Sequence, residues 1–259
     1  MKNFILVFSL LLLCSFSFSQ KKSSVRIHEA DSTDIDMKRY NLAMHFGDYE
    51  AAKNALYSLM IKYPNATNYL DSLTRLYFMV GAYSQCVLAG NTYLEKDSNN
   101  LYILESVAIS QNSLSRSKEA LVCYERLYRQ TKAPFHAYQK AVLQYILKHS
   151  DECSATIAGL ITDSTTGKQI IQINVDKNNS QQVPLKAAAY NLRGILEKDM
   201  NQQEEARTSF KEALKIFPEF SLAKTNLDYI SQLMPPQQTS EQETKNAKEA
   251  KDNKTDKKK

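Results

Sequence analysis

The chain is 259 residues long and 43% hydrophobic, enough for one elongated domain with a substantial core. Its net charge of +5 gathers at the ends: residues 235–259 hold seven lysines against five acidic residues and Lys2 adds one more, which leaves about +2 elsewhere. So even a balance argues against a nucleic-acid footprint. Six glycines with no GxGxxG or GxxxxGKS/T pattern argue against a phosphate-binding loop.

Residues 1–19, MKNFILVFSLLLLCSFSFS, read as a secretory signal peptide. Lys2 gives the short positive region, 4–13 the apolar core, and Ser17-Phe18-Ser19 a small-x-small cleavage pattern, with Gln20 as the new N-terminus. The apolar run is too short for a membrane span, which takes roughly 20 residues. Cys14 is expected to leave with this segment. Lipidation at Cys14 is the alternative, against which stands Leu13 where a lipoprotein signal usually carries a small residue. The expected destination is the periplasm of a bacterium, with outer-membrane association or secretion as alternatives. Residues 20–32 read as an extended lead.

From 33 to 234 the chain has a period. GDYEAAKNALYSLMIKYP at 47–64 is answered by GAYSQCVLAGNTYLEKDS at 81–98, with Gly47 and Gly81 34 residues apart. At the same step Ala52, Cys86, Ala120 and Ser154 form a series of small residues. Leu56, Gly90, Tyr124 and Ala158 form a second series, and Leu59, Tyr93, Leu127 and Ile161 an apolar third. After an interruption of 18 residues the pattern returns as Tyr190, Gly194, Ala206, Phe210, Ala213 and Pro218.

This pattern resembles the tetratricopeptide repeat family over about 33–220, best in AAAYNLRGILEKDMNQQEEARTSFKEALKIFPEF. The resemblance implies an all-α fold: a helix–turn–helix solenoid of about five 34-residue units with small residues where paired helices cross. A helix pair of this length cannot hide its apolar stripe alone, so neighbours stack on one continuous core. Pro64 and Pro218 stop the second helices of their units. Residues 221–234 read as a capping helix. The unit at 135–163 lacks the glycine turn.

The interruption falls in an insertion at about 163–186 and reads as a β-hairpin. Ile171, Ile173 and Val175 share one face of a strand, 176–180 is rich in turn formers, and 181–183 returns before Pro184. Two roles stay open: a clip that packs its apolar face on the solenoid, or an edge, centred on Ile171, Ile173 and Val175, that a partner extends. Residues 235–259 have no aromatic, branched aliphatic or leucine residue and are expected to be disordered.

Catalytic chemistry finds no support. His28, His45, His136 and His149 show no HxxxH spacing, and no GxSxG elbow occurs. Asp151-Glu152 and Glu204-Glu205 sit where second helices begin and suit the helix dipole. No catalytic residue, metal ligand or cofactor is expected, and the protein is not expected to be an enzyme. Cys86, Cys123 and Cys153 fall at or beside crossing positions and read as core residues, with a bridge between neighbours left open.

What the resemblance implies for function is a groove lined by the first helices. By register its protein-binding positions include Asn41, His45, Asn68, Arg75, Phe78, Tyr102, Glu105, Asn112, Gln139 and Asn191. The asparagines can donate to and accept from a peptide backbone, and Phe78 and Tyr102 offer apolar contact. The Lys/Asn/Arg set with which some members grip a terminal carboxylate is not matched. The expected role is a non-catalytic scaffold or adaptor in the bacterial cell envelope, whose partner is another protein or peptide and not a nucleic acid. An envelope enzyme framed by the repeats and a self-associating spacer are the alternatives.

Overall fold

The computed structural model describes residues 34–176 and 178–233. The expected signal peptide at 1–19, lead at 20–32 and tail at 235–259 lie outside the described residues. Among those described, eleven helices and one two-stranded sheet follow in order. They are α1 (Ile35–Phe46), α2 (Tyr49–Lys62), α3 (Thr67–Met79), α4 (Tyr83–Lys96), α5 (Leu101–Ser113), α6 (Ser117–Thr131), α7 (Pro134–Ile146) and α8 (Ser150–Thr162). After them come β1 (Ile170–Asn174), β2 (Ser180–Pro184), α9 (Leu185–Asp199), α10 (Gln203–Ile216) and α11 (Ser221–Leu233). Helices pair as α1/α2, α3/α4, α5/α6, α7/α8 and α9/α10, giving five units, with α11 packed on α10 and α9 as the cap.

Each pair turns through one residue in the left-handed region. These are Gly47 (φ 70°), Gly81 (φ 73°), Ser115 (φ 59°), Lys148 (φ 63°) and Asn201 (φ 61°). The fourth unit thus keeps the backbone turn without the glycine that normally makes it cheap. A β-carbon in this region costs about 1–2 kcal/mol, part of which glycine returns through its freer unfolded chain. Ser115→Gly is therefore expected to raise stability by about 0.5–1 kcal/mol in urea titration. Asp48 and Asn100 cap α2 and α5 with side-chain oxygens. Pro64 and Pro218 follow directly on the C-cap residues Tyr63 and Phe217.

The crossing positions Ala52, Cys86, Ala120 and Ala206 are fully buried. Ser154 is not: it is exposed, and the buried residue is Cys153. Ala158 and Ile161 are likewise replaced in the core by Ile157 and Leu160. The cause is a shorter joint before α7. Four residues separate α4 from α5 but two separate α6 from α7, and α7 begins 33 residues after α5. Lys132 ends α6 in the left-handed region and Pro134 starts α7 at its first turn, which makes the tight connection. The register therefore slips by one residue before the insertion shifts it again.

The insertion is an antiparallel hairpin with Ile171 opposite Val183 and Ile173 opposite Gln181. Its turn is built on Asp176, whose Oδ1 accepts from the backbone N–H of Asn178 (2.8 Å) and Asn179 (2.9 Å). Ile171, Ile173 and Val183 are buried in a core shared with α7, α8, α9, α10 and α11. Val175 lies beyond the end of β1, half-buried in the turn, and does not share that face. Gln181 fastens the far side: its Nε2 donates to the Glu219 carbonyl (2.5 Å) and its Oε1 accepts from the Ser221 N–H (3.1 Å) at the start of α11. Three further cores lie between α3 and α7, between α1 and α3, and between α10 and α11, the last holding Ala206, Phe210 and Ile230.

Candidate functional site: the face of the first helices

The first helices of successive units lie side by side, α3 against α5 and α7 against α9. Arg75, Tyr102 and Glu105, three of the residues expected from register, lie where these helices adjoin. Each first helix presents a residue every three or four positions to a common face because its opposite side is held in the unit's own core. Met79 (51% exposed), Tyr102 (39%) and Ile146 (42%) leave apolar surface on these helices.

The centre of the face is a cluster across the second and third units. Arg75 donates from Nε to Asp71 Oδ2 at 2.7 Å, one helical turn away on α3. Its guanidinium lies 3.8 Å from the centroid of the Tyr102 ring on α5, a cation–π contact between units. Asn100 Nδ2 reaches Asp71 Oδ1 at 3.5 Å, and the Asn100 Oδ1 accepts from the Ile103 N–H, capping α5. Two fixed contacts hold Arg75 at low entropic cost, so a ligand would not have to order it. Tyr40 of α1 hydrogen-bonds Ser72 beside this cluster, and burial pushes its phenol above the usual range.

A second contact links units three and four. Glu105 Oε1 stands 3.5 Å from His136 Nε2, while His136 Nδ1 meets Thr131 Oγ1 at 2.8 Å. The imidazole is buried beside Phe135 and Tyr124. The structure thus unites Arg75 with Tyr102, and Glu105 with His136. Asn41 and His45 are exposed on α1, His45 edge-on to Phe46 with ring centroids 5.0 Å apart. Asn68, Phe78 and Asn112 are half-buried.

Two expected groove residues are not surface. Gln139 is buried, and Asn191 is buried with its Oδ1 accepting from Asn226 Nδ2 of α11 at 3.0 Å. The capping helix occupies that part of the fifth unit. Of the side chains that complete the site, Tyr40 and Thr131 carried no sequence signal beyond helical spacing.

Cys86, Cys123 and Cys153 are free thiols. Burial pushes Cys123 and Cys153 up to about 11, the direction that makes thiols inert. Among the described residues no group of three or more His, Cys, Asp or Glu residues could hold a metal ion, and no helix is long and apolar enough to cross a membrane.

The fold is that of a tetratricopeptide repeat solenoid. YrrB, described as a tetratricopeptide-repeat protein with an unusual peptide-binding site, superposes with a TM-score of 0.57 at 16% identity, over 72% of this chain and 87% of its own. MamA gives 0.57 at 15% identity over 72% of this chain and 92% of its own. MamA from Desulfovibrio magneticus RS-1, residues 41 to the end, gives 0.50 at 12% identity over 63% and 82%. No family model matches the chain, and no curated protein matches it in sequence.

Proposed function

We propose that this protein is a non-catalytic interaction scaffold that holds an extended protein segment along the first helices of its second to fourth units. The observation that carries this reading is the Asp71–Arg75–Tyr102 cluster, fixed across two units on the open face. Aromatic and arginine side chains held in place beside apolar surface are the residue types that dominate binding energy at interfaces. The peptide-binding site named for YrrB, a protein of the same fold, agrees with it. Burial of Ile171 and Ile173 favours this face over the insertion as the docking surface. The setting we propose is the bacterial cell envelope, on the strength of the N-terminal sequence.

A photo-crosslinker at Met79 tests the reading in cells, with one at Val122, exposed on α6, as the control. The expected result is a distinct protein adduct from Met79 only, reduced at least about tenfold by Arg75→Ala or Tyr102→Ala, which is ~1.4 kcal/mol, with unchanged melting temperature. Equal adducts from both positions, or adducts indifferent to both substitutions, would reject it. Turnover on envelope substrates with no crosslinked protein would favour the enzyme alternative.

A further inference from the structure

The two ends of the solenoid are built differently. At the C-terminal end α11 buries Ala223 and Ile230 and turns a mixed face to solvent, with Lys224, Thr225 and Asp228 beside Tyr229 (53% exposed) and Leu233 (51%). At the other end α1 buries Met37 and Ala43 and turns Ile35 (65% exposed), Leu42 (60%) and Phe46 (75%) outward. Together with Arg39 these residues recur at steps of four and three along one stripe of α1.

The same stripe has a defined job elsewhere. Thirty-four residues on, Ile35, Arg39 and Leu42 become Tyr69, Leu73 and Leu76, all buried, and one unit further Ile103, Val107 and Ser110, again all buried. In α3 and α5 these positions receive the preceding unit. α1 therefore carries the docking register of an internal repeat with no described element before it. A terminal repeat that exposes such a face needs cover.

We infer that residues 25–31 of this same chain cover it, running back along α1 in extended form as an N-terminal cap. Val25, Ile27, Glu29 and Asp31 alternate with Arg26, His28, Ala30 and Ser32, so the two apolar and two acidic residues share one face of an extended strand. The α1 stripe offers apolar Leu42 and Phe46 and the basic Lys38 and Arg39; Arg39 already donates to Asp36 Oδ1 at 2.6 Å, yet its side chain stays 57% exposed and keeps donors for a second carboxylate. Two strand residues advance about 6.6 Å, or about 4.4 residues of helix. From Glu29 to Val25 such a strand spans about 13 Å, against about 10.5 Å from Arg39 to Phe46, so the inferred path sets Glu29 by Arg39, Ile27 by Leu42 and Val25 at the Phe46 end of the stripe. The chain's entry is fixed for this path: Asp34 caps α1 by accepting from the Asp36 N–H (2.8 Å) and is itself bound by Lys62 and by the Tyr63 hydroxyl (2.8 Å). A second copy fits less well, because a two-fold axis here would set Lys38 and Arg39 against their own counterparts.

The test uses the full chain and amide hydrogen exchange resolved to α1. Val25→Asp combined with Ile27→Asp lies outside the repeat core and is expected to speed α1 exchange about tenfold or more, which is ~1.4 kcal/mol, and to lower Tm by about 2–4 °C. Arg39→Glu should do the same in part, although it also breaks the Arg39–Asp36 pair, so the readout is the rescue: Glu29→Arg added to it should restore protection that Glu29→Arg alone does not give. Unchanged α1 exchange in the Val25/Ile27 variant overturns the inference. So does protection that grows with protein concentration together with a dimer in light scattering, which would assign the face to a second copy.

Discussion

Replacing Phe210 by alanine is expected to destabilise the protein by about 3–5 kcal/mol, the range for a large aromatic removed from a core. Phe210 of α10 is fully buried, and its ring lies against Gly194 of α9. A β-carbon at Gly194 would meet three atoms of that ring at 2.5, 2.7 and 2.9 Å. Gly194→Ala is thus expected to cost about 1–3 kcal/mol by overpacking, although alanine in an open helix gains up to about 1 kcal/mol over glycine. The clash outweighs the propensity because a buried ring has no flexible end to move aside. Gly159 of α8 supplies the contrast, since a β-carbon there meets nothing within 4 Å and Gly159→Ala should stabilise. Urea titration of Gly194→Ala, Phe210→Leu and the pair measures the contact. The pair should fall well short of the summed losses, and strict additivity would mean the two residues do not touch in solution.

The hairpin carries the second large effect. Ile171→Ala and Ile173→Ala are each expected to cost about 2–5 kcal/mol, because both side chains sit in the core that joins the last units and the cap. That loss should be read by Tm and by exchange at α8, α9 and α11 together, since Gln181 also holds the first turn of α11. A clip predicts such a loss with crosslinking at Met79 retained in the folded fraction. An edge that a partner extends predicts normal stability and lost binding. The burial of both isoleucines commits the structure to the first outcome.

The repeat was legible because glycine, proline and small residues each mark one backbone event. Gly47 and Gly81 announce the left-handed turn, and Pro64 and Pro218 the helix stop. The same turn at Ser115, Lys148 and Asn201 is silent in sequence, since these residues adopt it only because the packed units hold them there. That silence hid the one-residue slip before α7. Cys153 and Ser154 are both small, so size alone could not choose which one lies at the crossing. Alternation showed the two strands. The grip of Gln181 on Glu219 and Ser221 could not be seen, because those partners lie about forty residues away. In the groove, register named Arg75, Tyr102 and Glu105, but it also named Gln139 and Asn191, which are buried, Asn191 under α11. A period reports which face a residue takes and nothing of what lands on it.

The slip in register has a practical result. It leaves one thiol in each of three consecutive units: Cys86 in α4 and Cys153 in α8, both buried, and Cys123 in α6, half-buried. None is bridged to another. A repeat array opens in stretches rather than all at once, because each unit leans only on its neighbours. The native chain therefore holds its own set of spatially ordered clocks. The order in which the three sulfurs become alkylated would trace the direction in which the array unzips, with no label added.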